Sequence, residues 1–211
     1  MTAPQAVDPS VIERNVRLAH GACRVTRDYW SEMVEQLNVI TPPSAGRYVV
    51  DGRRPLEDLR CTNFRVAAQA RRDAAGEERF EVVTLAWQAA SGRRVRIEKD
   101  FPTDIERVRA ALRQAGVPAH ESTLLHEASG RPVGTAFEFT ADVNCSIRLI
   151  PLPDSGRVRL VFTNVDQLER VEAEFPAVGM RPRQLDEIGR WIVGQPHRVL
   201  EYAGNVRRFV P

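Results

Sequence analysis

The stretch from Ser10 to Leu37 constrains this chain most. Ile12, Val16, Ala19, Cys23, Thr26, Trp30, Met33 and Leu37 follow alternating steps of four and three, and Val11, Leu18, Ala22, Val25 and Tyr29 widen the stripe beside them. That spacing is one broad face of an α-helix. Ser10 with Glu13 reads as a capping box at its start, and the Pro-rich TPPSAG, Thr41 to Gly46, as its stop. A helix of about 28 residues is roughly 40 Å long, more than one small domain usually needs to cover. Its stripe must be buried across a whole sheet of the same chain, against a second copy, or both. The regular steps point to a homo-oligomer, most simply a dimer, with Trp30, Met33 and Leu37 as the bulk of its interface.

Beyond that stop the chain alternates rather than spirals. RYVVDG and LRCTNFRVAAQ read as strands, and after the turn at DAAGEE come RFEVVTLAWQ and RRVRIEK, separated by the hairpin-like ASG. PTDIERVRAALRQAGVP is the next helix. Thr103 and Glu106 are spaced as a capping box, Ile105, Val108 and Leu112 share a face, and Gly116 with Pro118 ends it. The second half repeats the order: TLLHEA, GTAFEFTA, CSIRLIPL, the turn PDSG, then RVRLVFTNVDQLERVEAEFP. Val95 aligns with Val158, and Val108 with Val171, at a constant offset of 63. An internal duplication of a hairpin-plus-helix unit would explain this, as would chance among Arg- and Val-rich segments. In a duplication Asp166 and Glu169 would cap a helix, whereas the alternation of Val171, Ala173 and Phe175 suits a strand. A closing helix is expected over roughly Pro182 to Val193.

The class is therefore α+β: a long N-terminal helix, an antiparallel sheet in two halves, and a C-terminal helix. The parts run 1–46, 47–118 and 119–211, either as separate regions or as one compact domain. With 211 residues, 43% hydrophobic and 27% charged, such a chain can bury a self-sufficient core. Lys99 is the only lysine among 30 basic residues, which suits a bacterial-like, GC-rich coding bias as well as guanidinium chemistry. Cys23, Cys61 and Cys145 are widely spaced and odd in number, so buried free thiols are expected rather than a disulfide framework or a zinc knuckle. The opening MTAPQAVDPSVIERNVRLA lacks a basic n-region and an apolar h-region, and no apolar run reaches the roughly 20 residues of a membrane span. A cytoplasmic protein without a membrane partner is expected.

The candidate chemistry lies mainly in arginines. Arg94 and Arg96 alternate with Val95 and Ile97, and Arg157 and Arg159 with Val158 and Leu160. Each pair should leave the solvent face of its strand, with Arg148 on the partner strand of the second hairpin. Guanidinium groups so placed can grip phosphate or carboxylate bidentately. The aromatic interleaving that stacks single-stranded bases is missing from these strands, and a net charge of +2 supplies little whole-molecule attraction to nucleic acid. His197 and Arg198 follow the break GQP, where a helix end explains them: Gly194 supplies the left-handed turn, Pro196 forbids continuation, and cations suit the helix C-terminus.

His120 and His126 are six residues apart, about 20 Å on a strand, too far to share a metal ion. Glu98, Lys99 and Asp100 resemble a nuclease cluster in composition, but strand alternation turns Lys99 away from its acidic neighbours. Walker, dinucleotide and HExxH motifs are absent. The sequence thus offers no catalytic residue, no metal ligands and no cofactor, and leans away from an enzyme. The ligand-binding candidates are Arg148, Arg157, Arg159, Arg94, Arg96, His197 and Arg198. A non-enzymatic binding or assembly module acting through protein contacts is expected. The alternatives are a nucleic-acid or nucleotide binder using an arginine-lined sheet face, and an unrecognised hydrolase or metal-dependent nuclease.

Overall fold

The computed structural model describes residues 8–210; residues 1–7, which begin the stretch read for a leader, lie outside the described residues. Helix α1 spans Pro9–Ile40. Its cap is Asp8 rather than the expected Ser10, whose backbone N–H donates to the Asp8 carboxylate at 2.9 Å. The start moves because Pro9 at the first helical position has its φ preset and no N–H to satisfy. At the other end Thr41 adopts a left-handed conformation and donates its N–H to the Leu37 carbonyl, just before Pro42 and Pro43.

The seven strands among the described residues belong to one antiparallel sheet. They are β1 (Arg60–Arg72), β2 (Glu78–Lys99), β3 (Ala119–Leu125), β4 (Pro132–Leu152), β5 (Arg157–Thr163), β6 (Arg170–Pro176) and β7 (Gly204–Phe209). The order is β1-β2-β4-β5-β6-β7, with β3 beside the first half of β4 and β5 beside its second half. Helix α2 (Pro102–Ala115) follows β2, and α3 (Pro182–Ile192) precedes β7. The α+β class holds, but the chain closes on a strand.

One expected hairpin is a single strand, and one expected strand does not form. The ASG segment is a bulge inside β2: Ala90 pairs with Asp142 and Arg94 with Thr140, so β2 advances four residues while β4 advances two. Gly92, at φ +66°, absorbs the surplus. Because the surplus is even, Val95 and Ile97 keep the face held by Leu85 and Trp87. RYVVDG forms only an isolated bridge between Val49 and Pro55 within a loop. The duplication also fails structurally, since the segment aligned with α2 becomes a turn and then β6. There Val171, Ala173 and Phe175 are buried on one side, as the alternation allowed. Nor does Thr103 cap α2, whose cap residue is Phe101, without a side-chain hydrogen bond, and whose first turn contains Pro102.

The core lies between one face of the sheet and the helices. Ala19, Ala22, Cys23, Thr26, Trp30 and Leu37 of α1 are buried, and the helix runs across β1, β2, β4 and β5. Leu185, Ile188, Trp191 and Ile192 of α3 join them, as do Val108, Ala111, Leu112 and Ala115 of α2. Gly189 lets α3 approach α1: a Cβ there would stand 3.3 Å from the Met33 sulfur. Trp30 (0% exposed), Met33 and Leu37 thus face the chain's own core. The broad stripe that seemed to need a partner finds one in the chain's own sheet. No helix among the described residues is long and apolar enough to cross a membrane.

Candidate functional site

All three helices pack against one side of the sheet. The other side is left to solvent, because the residues there alternate with the core residues of the same strands. Arg65, Ala67, Thr84, Ala86, Gln88, Ser146, Arg148 and Thr163 form its middle, on β1, β2, β4 and β5. The ladder sets Arg65 opposite Ala86 and Ala86 opposite Ser146, with Arg148 opposite Thr84 one row away. Strand spacings put the Arg65 and Arg148 backbones about 12 Å apart. Both are exposed, and neither joins an ion pair among the described residues. Beside them Asn63 donates an amide hydrogen to Gln88 and Gln88 one to Asn144, tying three strands with side-chain bonds.

Arg157 and Arg159 occupy this same face, on β5, as expected. They are not free: Arg159 meets the Glu174 carboxylate at 3.0 Å and Arg157 at 3.6 Å, with Asn205 donating to its second oxygen. The Asn205 amide and the two guanidiniums hold the Glu174 carboxyl below the usual carboxylate range. Arg94 and Arg96 also leave the open face, but opposite Thr140 and Glu138, eight and ten residues from Arg148 along β4 and so about 27 to 34 Å away. The sequence candidates therefore form two groups. Arg96 is paired with Glu98 and Glu138, and His120 lies across the ladder from Glu138. Arg94, Arg96, His120 and Glu138 line a shallow depression of about 580 Å³. His126 sits apart, in the turn leading to β4. No cluster of three metal-binding side chains occurs among the described residues. Lys99 points away from Glu98, its ammonium donating to the Asp51 carbonyl.

The corner around His197 has a structural logic. Its ring stacks on the Trp191 indole, with centroids 4.7 Å apart and planes at 17°. Nδ1 is buried without a hydrogen-bond partner among the described residues, so none of their carboxylates orients the ring through that atom as one would a catalytic base. Arg198 pairs with Glu201 at 3.0 Å, and its backbone N–H donates to Glu187. Asp166 and Glu169, which the sequence suggests only as a helix cap, belong to this corner. Trp191 donates its indole N–H to Asp166, while Glu169, 3% exposed, meets Arg208 at 2.7 Å. Partial loss of water around its carboxyl raises the Asp166 pKa, and the nearby Glu169 charge adds to this against the Trp191 bond, His197 and Arg208.

The three cysteines are buried and unpaired. Burial pushes the Cys23 and Cys145 thiols up to about 12, far from the thiolate a nucleophile requires. No protein family, curated protein or solved structure compared with the chain matches it.

Proposed function

We propose that the protein is a non-enzymatic binding module that takes an acidic protein segment on the uncovered face of its sheet. The observation that carries this reading is the pair Arg65 and Arg148, exposed and unpaired amid Ala, Ser and Thr side chains small enough to let a partner's backbone approach. Guanidinium forks match carboxylates bidentately. The bound carboxylate of Glu174 on the same face is an internal example of the contact a partner would make. The middle of the face has no aromatic side chain on which bases could stack, which favours protein over single-stranded nucleic acid.

A fluorescein-labelled oligoglutamate peptide tests this by anisotropy. Binding should weaken with salt, as expected for exposed charges, and should be lost in Arg65→Glu/Arg148→Glu, a variant whose circular dichroism stays that of the parent. No binding at low ionic strength would overturn the proposal. So would stronger binding to duplex DNA than to the peptide, or undiminished peptide binding by the variant.

A further inference from the structure

A second cationic site lies on the helix-bearing side, built from segments distant in sequence. Arg47 and Arg53 come from the loop before β1, and Arg107 comes from α2. With Gln167 of the β5–β6 connection they line a depression of about 480 Å³ whose lining contains no acidic residue. Its apolar side is formed by Val49, Leu168 and Val210.

Three cations around one depression repel one another, and a bound anion relieves that repulsion. Two neighbouring acids are already engaged. The Asp51 carboxylate accepts the backbone N–H groups of Arg53 and Arg54 at 2.7 and 2.9 Å, turning it back on its own loop. Asp104 takes one guanidinium nitrogen of Arg107 at 2.8 Å, leaving the other Arg107 donors unused among the described residues. Arg47 and Arg53 join no ion pair among the described residues. The frame under these side chains is fixed. Arg47 donates its backbone N–H to the Asp166 carbonyl at 2.6 Å, and the adjoining Tyr48 is buried with its hydroxyl donating to the Asn164 carbonyl. Gly52, at φ +75°, brings the loop against Arg107, where an added Cβ would stand 3.9 Å from its Cδ.

We infer that this depression binds a small organic phosphate: the guanidiniums take the phosphate, and Val49, Leu168 and Val210 take the organic group. Arginine forks fit phosphate oxygens bidentately, and the volume suits a small-molecule site. The inference is separate from the acidic-segment reading and uses different residues.

Calorimetric titration with phenyl phosphate, inorganic phosphate and phenol separates the contributions, with the Gly52 amide resonance reporting location. Phenyl phosphate should bind with a dissociation constant near or below about 1 mM and more tightly than inorganic phosphate, shifting the Gly52 resonance. Phenol alone should leave it unmoved. Arg47→Gln/Arg107→Gln should weaken phenyl phosphate binding at least about tenfold without altering oligoglutamate binding. Arg53→Gln, in the exposed loop, gives the same readout should the double variant fold poorly. The inference is overturned by absence of a Gly52 shift at about 10 mM phenyl phosphate, by equal binding of inorganic phosphate, or by unchanged affinity in both variants.

Discussion

The two faces of the sheet are made by neighbouring residues of the same strands, yet they have opposite chemistry. On the covered side one row runs Leu85, Ile147, Phe162 and Val171, every member buried. One residue away, on the open side, the row runs Ala86, Ser146, Thr163 and Arg170. Backbone pairing is shared, so the difference is one of side chains: the first row excludes water and holds helices, and the second keeps the sheet accessible. Mutations in the two rows should therefore separate stability from binding.

The largest contrast is expected between Trp30 and Ser146. Trp30→Ala empties a site of 0% exposure between α1 and the sheet and should lower stability by about 3–5 kcal/mol. Ser146→Ala should stay within about 0.5 kcal/mol. Urea unfolding of both variants measures this, and comparable losses would break the distinction between the faces. A smaller effect is expected at the seam joining α2 to the sheet. The buried Asn164 donates its amide to the Gln114 and Asn144 carbonyls and accepts from the Gln114 side chain. Asn164→Ala leaves those groups unpaired and should cost about 2–3 kcal/mol. An unchanged midpoint would show that water replaces the side chain there.

The sequence was most legible where one period rules. The helices appear through steps of three and four, and Arg94, Arg96, Arg148, Arg157 and Arg159 through alternation, because each signal is carried by residues close in the chain; Arg65 of the same face is not among the sequence candidates. Gly92 was misread for a physical reason: a glycine of positive φ serves a hairpin turn and a bulge equally, and only the partner β4 reveals which one forms. Trp30, Met33 and Leu37 lie on the helical stripe that their spacing predicts, but a stripe does not name what covers it, and within this chain the cover is the sheet. Arg157 and Arg159 were correctly put on the exposed side, while their tie to Glu174 depends on a strand whose register a local pattern does not give. The convergence of Arg47, Arg53 and Arg107 had no local signal at all. It exists because α2 folds back beside the loop before β1.

The bulge itself offers a sharper comparison within β2. Gly92→Ala should destabilise by about 1 kcal/mol, from left-handed backbone strain, since nothing lies within 4 Å of the added Cβ. Gly92→Asn should recover part of that loss, because asparagine tolerates the conformation better. Equal losses for both would point away from backbone strain as the cause.

The smallest expected effect lies on the open face, at Glu174, and it has a definite sign with pH. The Asn205 amide and the Arg159 and Arg157 guanidiniums lower its folded pKa, so the folded state releases this proton more readily than the unfolded chain. Such a group adds stability above its unfolded pKa and loses it as pH falls through the folded one. Because Arg157 and Arg159 are partly open to solvent, screening limits the contribution to about 0.5 kcal/mol. Glu174→Gln should therefore be slightly less stable than the parent at neutral pH, with the difference shrinking in acid and in high salt. Chemical denaturation across the acidic range measures that convergence. A difference that is constant with pH would assign the loss to hydrogen bonding or packing, and would mean that the open face gains nothing from the charge it holds.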